Sequence, residues 1–222
     1  MAIATVSHAA FVTGWSNITA TAAIVGPPGR CALEFLSNYL NAAPSLLSLA
    51  SLPDPNGVPL VQDALRDLDL EVHNDGLQAS LLHSAIAYIL DPVSVLSTRQ
   101  IHANVVVTNP LNFPIGISSV DVNVTSLGTT LGFLKHTFAE PIVVPPNSDA
   151  PTPTVCVRLS KLVSLKMLEA FIEAASSSTG APTRFRGSAS ATVGGNFRLD
   201  LALDQGPIPA FVVLRIPPAC AA

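Results

Sequence analysis

Four separated stretches of this chain alternate apolar and polar side chains with a period of two. Only an extended strand with one face buried and one in water satisfies that pattern. Leu68, Leu70 and Val72 alternate with Asp67, Asp69 and Glu71, and Ile101, Ala103, Val105 and Val107 oppose His102, Asn104 and Thr108. Val120, Val122 and Val124 alternate with Asp121, Asn123 and Thr125, and Phe197, Leu199, Leu201 and Leu203 with Arg198, Asp200 and Asp204. Gly, Pro and Asn turn residues separate the stretches. The expectation is a mainly β chain, an antiparallel immunoglobulin- or fibronectin-like sandwich with one or two packed α-helices.

Two helices are expected among the strands. Gln78–Leu90 carries Leu81, Leu82, Ala85, Ile86 and Ile89 at helical spacing, with Asp91-Pro92 as its stop. Lys161–Ala175 follows Ser160 as a candidate N-cap and carries the stripe Leu165, Leu168, Phe171 and Ile172. Residues 1–57 read differently: they are rich in Ala, Ser and Pro, with a short helical pattern at Cys31–Leu40. The cluster Pro53-Asp54-Pro55-Asn56-Gly57 is the candidate boundary to a domain over 58–217. Weak echoes pair Leu33–Leu36 with Leu168–Ile172, and Arg66–Gly76 with Arg198–Gly206. They read either as the back part of a preceding repeat before a complete one, or as coincidence in Ala/Leu-rich sequence.

Composition narrows the function classes. Hydrophobic residues make up 49% and charged residues 12% of the 222 residues, so some apolar surface is expected to meet a partner or ligand. A net charge of −4 without a Lys/Arg cluster argues against nucleic acid. No apolar run is long enough to span a bilayer as a helix. Met1–Ala10 lacks the features of a signal peptide, so the chain reads as cytosolic or as a piece of a longer protein.

Motifs that carry chemistry are scarce. His8, His73, His83, His102 and His136 form no metal-ligand spacing, and Cys31, Cys156 and Cys220 form no CxxC. The cysteines read as unreactive thiols, or as one disulfide plus a free thiol. No GxSxG, P-loop, GxGxxG or HExxH occurs, and Gly187-Ser188-Ala189-Ser190 lacks the context of a nucleophile turn. Asp67, Asp69 and Glu71 read as a solvated strand face instead of a calcium loop. No catalytic residue, metal ligand or cofactor is expected. Asn17-Ile18-Thr19 and Asn123-Val124-Thr125 are glycosylation sequons, usable only in the secretory route; with them the chain is luminal or extracellular, otherwise cytosolic.

The most distinctive segment is Val105–Pro146: a strand running into Asn109-Pro110, the step Phe113-Pro114-Ile115, and the strand Val120–Val124. Then come Leu127-Gly128, Leu131-Gly132, and Pro141-Ile142-Val143-Val144-Pro145-Pro146. This ordered set resembles the WHy (water stress and hypersensitive response) domain of the late embryogenesis abundant type 2 family, including its fungal-type tandem members. Val157-Arg158-Leu159 and the helix at 161–175 match that family's closing strand and single helix, so the resemblance spans residues 99–204. It implies a β-sandwich without catalytic residues and a stress-associated or structural role, as a module of a larger or membrane-tethered protein. It also implies lipid binding for some members. Against that background Phe113, Ile115, Phe133, Leu165, Leu168, Phe171 and Ile172 are the candidate lining of an apolar groove between helix and sheet. The competing expectation is a subunit of an extracellular or cell-wall assembly, with another protein as partner.

Overall fold

The structure, a computed structural model, describes residues 2–5, 21–24, 30–41, 43–49, 70–76, 80–194 and 197–220. Two short antiparallel pairs precede the main body: β1 (Ala2–Thr5) with β2 (Thr21–Ile24), and β3 (Ser45–Leu49) with β4 (Leu70–Asn74). Helix α1 (Arg30–Leu40) lies between them in sequence. The main body comprises β5 (Leu82–Tyr88), α2 (Pro92–Thr98), β6 (Gln100–Asn109), β7 (Ile115–Ser126) and β8 (Thr129–Val144). It continues with β9 (Ser148–Pro151), β10 (Val155–Leu159), α3 (Leu165–Ala175), β11 (Ala181–Val193) and β12 (Phe197–Val213).

These strands do not stack as two sheets. The order β10-β8-β7-β11-β12-β5-β6 returns to β10, which pairs with β8 on one side and β6 on the other, closing a seven-stranded barrel. Every pairing in the ring is antiparallel except β12 with β5, which run parallel from Ala210↔Ala85 to Val213↔Tyr88. The expected antiparallel sandwich is therefore corrected to a mixed barrel. The physical reason is that period-2 alternation marks an inner and an outer face equally well in both architectures. Closure depends on two long-range pairings, β5–β12 and β6–β10, that leave no local trace.

The helix expected at Gln78–Leu90 is also corrected: Leu82–Tyr88 is strand β5. Ala85, Ala87 and Ile89 are buried toward the core, while Tyr88 on the other face lies beneath the guanidinium of Arg215, 4.7 Å from its ring centroid. A strand covered on both faces reads as a continuous apolar run, which periodicity alone does not separate from a buried helix. Asp91-Pro92 begins a helix instead of ending one. The Asp91 carboxylate accepts from the Val93 and Ser94 amides, and Pro92 occupies the first turn of α2, where its missing N–H is no loss. The second expected helix is present but starts later, at Leu165, with Ser164 as N-cap in place of Ser160.

The β7–β8 hairpin turns where expected. Leu127 and Gly128 both have positive φ, 50° and 72°, the conformation of a two-residue turn that matches strand twist. The boundary proposed at 57/58, Asp67, Asp69 and Asn17 lie outside the described residues. α1, from the N-terminal segment, docks on β12: the Gln205 amide accepts from Leu81 N at 2.9 Å and donates to the Leu40 carbonyl at 3.0 Å. Asn41 Oδ1 accepts from Asp204 N at 2.8 Å.

On the outer face Asp204 takes charge-assisted bonds from Arg184 Nε at 2.6 Å and Arg186 Nη2 at 2.7 Å. The hydrogen bond from Arg184, then that from Arg186, holds its carboxyl down from 3.8 to about 2. The pKa is depressed in the folded state, so the stabilisation is full above about pH 4 and is lost as pH falls toward 2. Because the group is partly solvated, the contribution is about 1 kcal/mol or less. Asp204→Asn is expected to narrow its stability gap to wild type over that window; a gap unchanged from pH 7 to pH 2 in urea melts would contradict the pairing.

Candidate ligand cavity

Small side chains on the inner face of β11 keep the lumen from filling. Gly187, Ala189 and Ala191 sit opposite Leu203, Leu201 and Leu199 of β12. Ala85, Ala87 and Ala103 add further short side chains on β5 and β6. Gly187 is required by backbone packing, since a Cβ there would meet the Asp121 carbonyl oxygen at 2.1 Å. A seven-stranded ring lined this way retains free space, where larger side chains would close it.

Among the described residues the space includes two apolar cavities, of about 90 Å³ and 40 Å³. Val105, Leu134, Val155 and Phe185 line both and so form the partition between them. Each end of the barrel is plugged. At one end α3 inserts Leu168 (0% exposed) and Phe171 (4%) into the core cluster. At the other, Leu40 from the last turn of α1 packs with Leu81, Ile115, Val193 and Leu199.

The side wall is less complete. β8 pairs with β10 only at Gly132↔Leu159 and Phe133↔Arg158, and β9 pairs with β6 from Ser148↔Asn109 to Pro151↔Val106. From Leu134 to Val144, β8 has no ladder partner on its β9/β10 side among the described residues. Leu134, Phe138 and Ile142 on β8, with Thr152 and Val155 across the seam, all line the larger cavity. Ile142 and Thr152, on either side of this seam, are half-buried. Beside it His136 stands edge-on to Phe138, ring centroids 4.6 Å apart, with Nε2 buried and unpartnered.

Chemically, the described walls present almost only hydrocarbon. Among the described lining residues the two side-chain hydroxyls are already engaged: Thr152 Oγ1 accepts from Val105 N at 3.0 Å, and Thr183 Oγ1 donates to Ala181 O at 3.1 Å. No carboxylate, imidazole or thiol lines either cavity among the described residues.

The seven residues expected to line a helix–sheet groove divide. Leu168, Phe171 and half-buried Ile172 lie together in the plug at the α3 end. Leu165 is 40% exposed on the outer side of α3. Ile115 and Phe113 belong to the α1-end cluster. Phe133 is 41% exposed on the outer wall, under the Arg158 guanidinium at 5.9 Å. Of these, only Ile115 and Phe171 reach a cavity. The alternation along β7, β8 and β12, together with the alanine-rich β11, was the available sequence signal for a lumen, once those strands are known to form a ring. Asn123 is exposed on the outer face of β7.

Of the two readings of the cysteines, the structure shows a disulfide: Cys156 on β10 bonds Cys220, 64 residues later in the tail after β12. No family model matches the chain, and no curated protein sequence matches it. Among solved structures, one titled "Crystal structure of protein from Archaeoglobus fulgidus" is similar over 56% of this chain and 94% of that one, at 16% identity and a TM-score of 0.29.

Proposed function

We propose that this chain is a non-catalytic barrel module that takes the end of a hydrocarbon chain into its lumen through the seam between β8 and β9. The supporting observation is the apolar-walled cavity of about 90 Å³ behind a stretch of β8 that no strand closes among the described residues. An apolar cavity of about 150 Å³ stays free of water and admits benzene. The smaller volume here suits an alkyl terminus, not a whole lipid. Among the described residues the walls carry no acid, base or free nucleophile, which supports binding without turnover. The stress-associated, WHy-type role is supported by the ordered motif set from Asn109 to Pro146, and on that reading the barrel serves as a module within a larger or membrane-tethered protein.

Saturated fatty acids of increasing length, followed by calorimetry and native mass spectrometry, test this. Each methylene that fits adds about 0.8 kcal/mol, roughly a fourfold tightening. Affinity is expected to rise with length and level off once the cavity is full. Ala191→Leu fills the cavity and is expected to abolish binding while the barrel still melts cooperatively, at a cost of about 1–3 kcal/mol. Absence of any adduct at every chain length, or undiminished binding by the variant, contradicts the proposal.

A further inference from the structure

On the outer wall, away from the lumen, three metal-ligating side chains converge that hydrocarbon binding does not use. His102 on β6 and Cys156 on β10 are direct cross-strand partners. The tail after β12 runs over the outer face of β5 and β6, with Arg215 over Tyr88 and the Pro218 carbonyl against His102, and delivers Cys220 to the same spot. Among the described residues His102, Cys156 and Cys220 are the group whose ligand atoms all lie within 4.8 Å of one another, and all three are half-buried.

The histidine is already oriented. Its Nδ1 lies 2.7 Å from the Pro218 carbonyl oxygen, which can only accept, so Nδ1 carries the proton. Nε2 is then left with its lone pair, 4.0 Å from Cys156 Sγ. A ring N–H given to a backbone carbonyl is the arrangement that fixes tautomer and direction in metal-ligating histidines.

We propose that His102, Cys156 and Cys220 form a redox-gated zinc site that holds the C-terminal tail on the barrel in both oxidation states. Oxidised, the Cys156–Cys220 bond is the clamp. An external dithiol supplies two electrons: its thiolate attacks one sulfur, the Cys156–Cys220 bond breaks, and its second thiol resolves the mixed disulfide. The products are two protein thiols and the oxidised external disulfide. Zn²⁺ then displaces both thiol protons and is held by two thiolates and His102 Nε2, the fourth position taking water. With Zn–S near 2.3 Å and Zn–N near 2.0 Å, the sulfurs separate to about 3.8 Å and Nε2 comes to about 3.5 Å from each. For Cys156 this is a shift of about half an ångström from the present Nε2–Sγ spacing, whereas Cys220 Sγ, now 3.5 Å from Nδ1, swings to the Nε2 side once the disulfide is open. Two thiolates and an imidazole select a borderline-soft ion of this kind over Mg²⁺ or Ca²⁺.

The full chain, reduced with a phosphine and competed for Zn²⁺ against a chromogenic chelator, is expected to hold one zinc. The oxidised chain should hold none, and Cys31→Ser should match wild type. His102→Ala is expected to weaken zinc by about 100-fold or more, beyond the 10–100-fold that an outer-shell partner costs. Cys220→Ser, in the tail and outside the barrel wall, should do likewise and guards against a folding defect in the His102 variant. Tryptic cleavage after Arg215 should be fast in the reduced, zinc-free chain and slow in both the zinc-loaded and oxidised chains. Zinc retained equally by the oxidised chain or by His102→Ala, no zinc in the reduced wild type, or no zinc protection of the tail would each overturn the site.

Discussion

Leu168→Ala is expected to lower the free energy of unfolding by about 3–5 kcal/mol. Leu168 is fully buried on α3, the helix that plugs one end of the barrel, and touches the core where the 40 Å³ cavity already lies. Removing its isobutyl group opens a void in the plug beside Phe171, the plug residue that lines that cavity. The hydrogen-bonded ring limits collapse around it, so the cost falls toward the upper part of the range seen for such truncations. A loss of this size is a large fraction of the 5–15 kcal/mol that typically separates folded from unfolded chains. Leu165→Ala, one turn away but 40% exposed, is the internal control and should cost less than about 1 kcal/mol. Paired urea melts give both numbers. Equal small effects would mean that α3 does not seal the barrel.

The second large effect is expected at Asn109. The residue is fully buried where β6 ends, and Pro110 denies the strand its next donor. Its Nδ2 lies 2.9 Å from Phe113 O, 3.0 Å from Val144 O and 3.0 Å from Pro145 O, while Oδ1 accepts from Leu111 N at 3.0 Å. One side chain thus ties the start of β7 and the end of β8 to the end of β6. Asn109→Ala removes the side-chain donor to Phe113 O and Val144 O and the acceptor for Leu111 N, while Pro145 O keeps Ser148 Oγ, at a cost of about 2–4 kcal/mol. Asn109→Asp puts a carboxylate against carbonyl oxygens and is expected to cost at least as much at neutral pH, with partial recovery in acid when the carboxyl regains a donor. Aspartate tolerated as well as asparagine at pH 7, read by thermal melts, would refute this staple.

Much of the fold was legible, and the reason is local. The alternations at Ile101–Val107, Val120–Val124 and Leu199–Leu203 lie on strands with inner and outer faces as expected. Leu127-Gly128 turns, and the stripe Leu168, Phe171, Ile172 is helical and inward. What failed was either doubly covered or non-local. β5 looked helical because α-carbon neighbours on both its faces are buried, the outer one by Arg215 of the tail. Ring closure rests on β5 meeting β12 and β10 meeting β6, contacts between segments far apart in sequence. The cavity followed the same logic: Gly187, Ala189 and Ala191 look like unremarkable small residues until β7 and β12 are placed on either side. His102 and Cys156 could be joined only through strand register, and Cys220 only through the path of the tail.

The binding account is tested most directly by nuclear Overhauser contacts between a protonated fatty acid and the methyl-labelled, otherwise deuterated protein. The prediction is that the terminal methyl of the ligand contacts Leu134, Ile142 and Leu201 inside the lumen. Contacts confined to the exposed Leu162, Leu214 and Ile216 on the outer surface, or none at ligand saturation, would contradict it.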